Sequence, residues 1–478
     1  MAGITAQELL RRLPPLGGVL AGLSPQDLAY APLPEWTEES RLALAELRAR
    51  VLSGELGPVG LERAAAADAV VAAAKKRIAR RRDPGLIRVV NATGVVLHTN
   101  LGRAPLPPAA LEAVSRNGRG CCLLAADRET GERAPRERHV DALLRRLTGC
   151  EAATTVNNNA AATLVVLAAT AAGKEVVVSR GQLVEIGGAY RIPEVMAQSG
   201  AILKEVGTTN RTHLSDYERA IGPNTGLLLR VHTSNYRVVG FQGEVSLEDL
   251  VALGRAHGVP VADDLGSGAL VSLAGRGGLV EDEPLVSKSV AAGADLVTAS
   301  GDKLIGGPQM GLVLGKADSV ARVRAHPLYR ALRCGKLDLI AMEATLRLFL
   351  DPGSLESSHP TYAALLATRD ALRARAEQLL ARVRTAVPSV EASVVDAADA
   401  VGAGSLPTVV LPGAALRVKV AGVEAGALAR RLRAAATPVF SVVHDDAVFL
   451  HVRTVNVGEE DMVVAALREA AGGPSAAG

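Results

Sequence analysis

The chain has 478 residues, 48% hydrophobic and 22% charged, enough for roughly two to four domains with a sizeable core. Its formal net charge of +3 carries no global signal for a polyanionic partner. The most apolar stretch, "AAATLVVLAATAAG", is broken by threonines and too short to cross a bilayer, which excludes an integral helical membrane protein.

The opening "MAGITAQELLRRLPPLGG" lacks the basic-then-apolar order of a secretory leader, and the expected location is the cytoplasm. Residues 1–82 read as a separate helical region. In "LSPQDLAYAPLPEWTEESRLALAELRARVLSGELG" proline punctuation precedes a periodic helix with acidic residues early and arginines late, an order that suits the helix dipole. An alanine-rich helix follows and ends in "KKRIARRR", Lys75 to Arg82. Such a run is usually a solvated helix face, and the sharper reading is a patch that contacts a polyanion.

From about residue 88 the pattern changes to short apolar runs alternating with helices. "EVVVS" (175–179), "AILKEV" (201–206), "GLLLRVH" (226–232), "VPVADD" (259–264), "DLVTAS" (295–300) and "MGLVLG" (310–315) are the strand candidates. Alternation of this kind predicts an α/β domain with a mostly parallel sheet covered on both faces, over residues 83–355. Beyond it, 356–478 reads as a small C-terminal α+β domain, with a long Arg-rich helix, "VEASVV", "TVVLPG", "ALRVKVAG", "VFLHVRTV" and a closing helix.

Three features of the α/β domain carry chemistry. "TTVNNNAAATLVVL" puts Asn157, Asn158 and Asn159 at the start of an apolar helix, where free N–H groups and the helix dipole attract a phosphate. "VPVADDLGSG" ends a strand on Asp263 and Asp264. "TASGDKLIGGPQMGLVLG" places Lys303 after a buried-looking strand, at the carboxyl edge where α/β sheets bind ligands. A nucleotide phosphate loop is excluded, because here the lysine precedes the glycines and a strand rather than a helix follows. Pyridoxal phosphate needs a lysine for covalent attachment, an acid at its pyridine nitrogen and donors for its phosphate. The order of helix start, aspartate and lysine matches those needs and the large-domain layout of fold-type I pyridoxal enzymes. The cysteines, Cys121, Cys122, Cys150 and Cys334, form no CxxC pair, and the histidines are not at zinc spacing near them, so no metal is expected and the thiols read as reduced and mostly buried.

Longer motifs add a resemblance. "VVNATGVVLHTNLGRAPL" (89–106), "RLTGCEAATTVNNNAAA" (146–162), "GGAYRIPEVMAQSGA" (187–201), "VGTTNRTH" (206–213), "VHTSNYRVVGF" (231–241), "DLGSG" (264–268) and "SGDKLIGGPQMGLVLGK" (300–316) resemble the bacterial selenocysteine synthases, the L-seryl-tRNA(Sec) selenium transferases. The resemblance implies that Lys303 binds pyridoxal phosphate and that Asp264, with Asp263 as the fallback, pairs with the pyridine nitrogen. It implies that Arg103, Arg330 and Arg333 surround an anionic selenium donor, selenophosphate; the planar fork of Arg suits such a group. It further implies β-elimination of water from a seryl group esterified to tRNA(Sec), selenium addition to the resulting aminoacrylyl-tRNA, tRNA binding by residues 1–82, and a homo-oligomeric ring of dimers, a decamer being one such size.

The sequence departs from the family in two places. The usual "YDLETG-RGSR" loop is "ADRETGERAPR" (126–136), with Ala126 for tyrosine and Ala134-Pro135 for Gly-Ser. The usual "PVIGRIED" is "PVFSVVHDD" (438–446), with Val442 where an arginine is expected. The alternative reading is a lyase of the same core acting on a small phosphorylated amino acid or amino sugar acid. Such relatives generally lack an N-terminal tRNA-binding region.

Overall fold

The computed structural model describes residues 6–54, 63–82, 85–187, 190–277, 279 and 283–472, and divides the chain into two compact units after Arg88.

The N-terminal unit is all helix: α1 (Ala6–Arg12), α2 (Leu16–Ala21), α3 (Pro25–Tyr30), α4 (Leu33–Leu52) and α5 (Arg63–Arg82). Ser24 caps α3 by accepting from the Asp27 N–H at 3.1 Å, and Pro25 occupies the first helical turn. α4 and α5 pack through Trp36, Ala74 and Ile78, all fully buried, and the Trp36 indole N–H donates to the Asp27 carbonyl at 2.8 Å. The basic run lies on α5, and much of it faces carboxylates of the same unit. Lys75 pairs with Asp27 at 3.2 Å, Arg77 with Glu39 and Glu46 at 2.7 and 2.8 Å, Arg81 with Glu38 and Glu39 at 3.0 Å, and Arg82 with Glu35 at 2.7 Å. Lys75, Arg81 and Arg82 are exposed, so the face is solvated, but its cations are already paired, Lys75 with α3 and the three arginines with the acidic face of α4. Lys76 and Arg80 are exposed and have no ion-pair partner among the described residues.

The second unit holds two large sheets. One has seven strands in the order β2-β10-β9-β8-β7-β3-β6: β2 (Ala152–Val156), β3 (Glu175–Ser179), β6 (Ile202–Val206), β7 (Thr225–Val231), β8 (Val261–Gly266), β9 (Leu296–Ser300) and β10 (Gly311–Gly315). Its neighbours are parallel except that β10 runs antiparallel to both β2 and β9. Val177, Leu228, Val297 and Leu312 face one hydrophobic core, whereas Val176, Leu229, Leu296 and Val313 face another that includes the apolar helix after β2. Both faces are therefore covered, which explains the near-continuous apolar strands. The six strands expected from the sequence all form; β2 is not among them, because "AATTV" carries buried threonines instead of a hydrophobic run. β4 (Glu185–Ile186) pairs antiparallel with β5 (Tyr190–Arg191).

The other sheet has the order β1-β13-β14-β12-β11, with β1 (Val90–Ala92), β11 (Val390–Gly402), β12 (Ser405–Val420), β13 (Val439–His444) and β14 (Ala447–His451). The helix Arg369–Ala386 covers it, burying Leu372, Leu379 and Val383 against Val390, Leu416 and Val418. Its strands include β1, which the sequence reading assigns to the large domain: β1 pairs in parallel with Val439–Ser441. The cause is local. Pro438 offers a carbonyl to the Val90 N–H at 2.8 Å, and Val90 and Ala92 bury fully in the core of this sheet.

Candidate active site

The site forms at the carboxyl ends of β8 and β9. Successive residues on a strand point to opposite faces, and this separates the two aspartates of β8. Asp263 accepts from Arg230 at 3.0 Å and from the Ser289 hydroxyl at 2.7 Å. Asp264 accepts from the Asn159 amide at 2.8 Å, from Thr298 Oγ1 at 2.9 Å and from Thr163 Oγ1 at 3.2 Å. Burial pushes the Asp264 carboxyl above its ordinary range, and these three donors pull against that shift. Asp263 already has a cation beside it. Asp264 has three neutral donors and no cation within bonding distance among the described residues, so it is the carboxylate of the pair that a protonated ring nitrogen would complete.

Lys303 sits in the turn after β9 and is 5% exposed. Its backbone is fixed by Gly306 N–H to the Lys303 carbonyl at 2.9 Å and by Leu304 N–H to the Ser267 carbonyl at 3.1 Å. Two glycines allow this packing: at Gly268 (φ +74°) a Cβ would meet the Ser300 carbonyl, and at Gly306 (φ +67°) it would meet the His359 ring. The His359 Nε2 in turn hydrogen-bonds the Ile305 carbonyl at 2.9 Å. Lys303 Nζ makes no hydrogen bond among the described residues. Burial lowers its affinity for a proton and the nearby Arg103 lowers it further, whereas Asp264, Asp302 and Glu283 raise it. A buried amine with a lowered pKa and no fixed partner is suited to covalent attachment of a carbonyl cofactor.

Arg103 lies beside this turn. It follows Gly102 (φ +91°) and itself adopts φ +62°, a left-handed conformation unusual for a side-chain-bearing residue. Its guanidinium pairs with Asp302, the residue before Lys303, at 2.7 Å. The adjoining open cavity, about 430 Å³, is bordered by Thr99, Arg103, Asp302 and Gly307.

The three asparagines separate into different tasks. Asn158 caps the helix Asn159–Ala171 by accepting from the Ala161 N–H at 2.9 Å. Asn159 turns toward Asp264. Asn157 is exposed, and its N–H donates to the Leu332 carbonyl at 2.9 Å. That bond brings the chain just before Arg333 to the helix start. Arg330, on the helix Pro327–Leu332, is exposed and Arg333 half-buried; no hydrogen bond or ion pair joins either to Arg103, Asp264 or Lys303 among the described residues.

Residues beyond the sequence expectations also shape the site. Thr163 and Thr298 hold Asp264, and Asp302 holds Arg103. Asp302 adjoins Lys303 in "GDK", the signal that could have found it; the threonines carry none, since their approach depends on helix-to-sheet packing. Among the thiols, Cys150 and Cys334 are buried while Cys121 is exposed and Cys122 half-buried, so burial holds for two of the four. No group of His, Cys, Asp or Glu that could hold a metal occurs among the described residues.

Pyridoxal phosphate fits this donor set. Lys303 supplies the amine, Asp264 an uncompensated buried carboxyl, and the Asn158-capped helix start a set of N–H donors. Asn159 Oδ1 and Ser267 Oγ are buried without a hydrogen-bond partner among the described residues, which leaves both able to bond a group bound beside them.

Comparison with known proteins agrees in sequence and in fold. The family described as L-seryl-tRNA selenium transferase matches residues 89–456. An L-seryl-tRNA(Sec) selenium transferase from Solidesulfovibrio magneticus is 46% identical over 474 residues, covering 97% of this chain and 98% of that one. One from Geobacter sulfurreducens is 46% identical over 445 residues, covering 93% and 95%. Among solved structures, D-glucosaminate-6-phosphate ammonia-lyase is similar in fold, with a TM-score of 0.57 and 23% identity over 81% of this chain and 96% of that one.

Proposed function

The chain belongs to the L-seryl-tRNA selenium transferase family, and from that premise we propose how its own residues divide the conversion of L-seryl-tRNA(Sec) to L-selenocysteinyl-tRNA(Sec). It is a pyridoxal phosphate enzyme of fold type I. When bound, the cofactor supplies an electron sink for negative charge at the seryl Cα. Lys303 is the covalent anchor. Its Nζ, when free, would be the base that takes the seryl Cα proton, and its lowered pKa suits that role. Asp264 holds a proton at the pyridine nitrogen, and Asn159, Thr163 and Thr298 fix the carboxylate in place. The helix start at Asn157 and Asn158 receives the phosphate group.

We assign selenophosphate as the selenium donor and Arg103 as its first contact, at the open side of the Lys303 turn. Arg330 and Arg333 complete the anion site; the Leu332–Asn157 hydrogen bond ties the chain before Arg333 to the start of the asparagine helix. The seryl ester has no free α-carboxylate, so Val442 in place of an arginine removes no contact the substrate needs. Residues 1–82 bind the tRNA, the active assembly is a homo-oligomeric ring of dimers, and the enzyme works in the cytoplasm. No helix among the described residues is long and apolar enough to cross a membrane, in keeping with that location.

The observation that carries this reading is the buried, unbonded amine of Lys303 next to the triply hydrogen-bonded Asp264. The test is selenium transfer by the cofactor-loaded full chain, given seryl-tRNA(Sec) and selenophosphate. The expected product is selenocysteinyl-tRNA. Ammonia release from a small phosphorylated amino acid, with no selenium transferred to tRNA, would favour the lyase reading instead.

A further inference from the structure

A second cavity, of about 440 Å³, opens where β3 and β7 end. His232 and Thr233, which follow β7, line it, together with Gln182, Arg211, Tyr236 and Glu283. Glu283, in its wall, is near enough to Lys303 for its charge to favour the protonated amine. A Cβ built on Gly266 would be 3.8 Å from the hydroxyl of Ser234 and 4.0 Å from Lys303 Nζ. On this side the wall is ordered by a buried carboxylate: Glu283 accepts from the Leu406 N–H and faces His232 Nε2 at 3.2 Å.

The mouth of this cavity has an unusual composition. The chain has only four Phe, six Tyr and one Trp, yet Tyr236 in the wall and Phe241, the residue before Gln242 of the wall, are both exposed. Phe241 is 84% exposed, and the Arg211 guanidinium lies 5.8 Å from its ring centroid. Arg211 has no carboxylate partner among the described residues. Asn210 fixes the ring's backbone by donating to the Phe241 carbonyl at 2.5 Å, and Tyr236 is held by its hydroxyl donating to the Gly181 carbonyl at 2.5 Å. An open aromatic face with a planar cation beside it is the chemistry that stacks an unpaired base, and the free positive charge of Arg211 suits a phosphate.

The chemistry of the substrate says what must come here. A seryl group at Lys303 is esterified to the terminal ribose of its tRNA, so that ribose must lie a few bonds from the lysine. Every tRNA ends in single-stranded CCA, whose last base is free to stack. We propose that this cavity receives the terminal nucleotide of the aminoacylated RNA, with the base on Phe241 and the backbone phosphate on Arg211. This rests on the seryl-tRNA reading above, and it places the RNA end in a cavity that shares no lining residue with the Arg103 cavity assigned to the selenium donor. Acceptor end and selenium donor then approach from separate openings.

The test uses the cofactor-loaded full chain and a serylated tRNA whose terminal adenine is replaced by 2-aminopurine. Stacking quenches the fluorescence of that base. Wild type and Phe241→Tyr are expected to quench it and Phe241→Ala to abolish the effect. For unmodified seryl-tRNA, Phe241→Ala and Arg211→Ala are each expected to raise KM about tenfold, the scale of a single base stacked on an aromatic ring. The KM for selenophosphate should stay put, and visible cofactor absorbance reports that each variant is folded. Quenching and KM unchanged in Phe241→Ala would overturn the assignment. So would a Phe241→Ala variant whose only change is a smaller assembly on sedimentation, which would make Phe241 a contact between copies of the chain. A wild type that transfers selenium without quenching refutes this site alone; one that quenches without transferring selenium refutes the proposed reaction alone.

Discussion

Asn159 donates its side-chain amide to Asp264 across 2.8 Å, linking the first residue of an apolar helix to the end of a central strand. The bond lowers a carboxyl pKa that burial raises. Removing it, as in Asn159→Ala, should cost roughly 1.5–3 kcal/mol of stabilisation of the ionised carboxylate, the range for a hydrogen bond to a charged group. The expected result is a fall in kcat of about tenfold or more with the cofactor still bound. Asp264→Asn should cost more, about a hundredfold, because a neutral amide cannot balance a protonated ring. Single-turnover kinetics read with the visible spectrum check both.

Lys303→Ala should abolish the visible absorbance of the lysine-bound cofactor. A colourless wild type after reconstitution would contradict the assignment of Lys303.

Arg103 lowers the Lys303 pKa through its charge, so Arg103→Ala should let that pKa rise. Less of the amine is then neutral at a given pH, and the acidic limb of the pH–rate profile should move to higher pH. Arg103→Lys keeps the charge and should leave the limb in place while raising the KM for selenophosphate, since the bidentate fork is gone. Both variants moving the limb equally would count against a charge effect.

Deleting residues 1–82 should abolish tRNA binding yet leave the cofactor colour, because the chain divides into separate units after Arg88. Within α5, the reversal Lys76→Glu with Arg80→Glu should weaken RNA binding and reduce the salt slope by roughly one for each phosphate no longer neutralised. Arg77→Ala with Arg81→Ala should mainly lower the melting temperature of the unit, since those side chains already hold Glu38, Glu39 and Glu46. Filter binding over a salt series, beside thermal melts, separates the two sets.

His359 is buried against Phe349, Tyr362 and Gly306, and burial lowers its pKa from 6.5 to about 4. The unfolded chain therefore binds the extra proton first. The contribution of His359 to stability is complete above pH 6.5 and disappears as pH falls through the window down to about 4, by about 3 kcal/mol in all. Thermal melts between pH 7 and pH 4 should show this fall in wild type and a flatter profile in His359→Gln.

The parallel sheet is legible in the sequence because its strands are buried on both faces and read as unbroken apolar runs. β2 is not, since Thr154 and Thr155 are buried through partners distant in sequence, such as Tyr329. Lys303, Asp264 and Arg103 stand out as candidates, and the choice between Asp263 and Asp264 needs only the alternation of a strand together with one neighbour on each face. The division of labour among the asparagines is hidden, because one residue of offset decides whether an amide caps a helix or crosses to a strand. The basic run is hidden for a related reason. Charge spacing shows that cations share a face, but not that acidic residues some forty positions earlier lie against it.

β1 ties the segment that carries Arg103 to the C-terminal sheet, and the tie continues past the strand: Val96 and Leu97 donate to the carbonyls of Ala400 and Val401 at 3.0 and 2.7 Å. Asp302, by contrast, is anchored with Lys303 at the end of β9. The Arg103–Asp302 pair thus clasps one sheet to the other beside the turn that carries Lys303. An anion that draws the guanidinium away unfastens the clasp, and any swing of the C-terminal sheet carries the arginine with it. On the proposed role of Arg103, binding of the donor anion would open this tie between the two sheets.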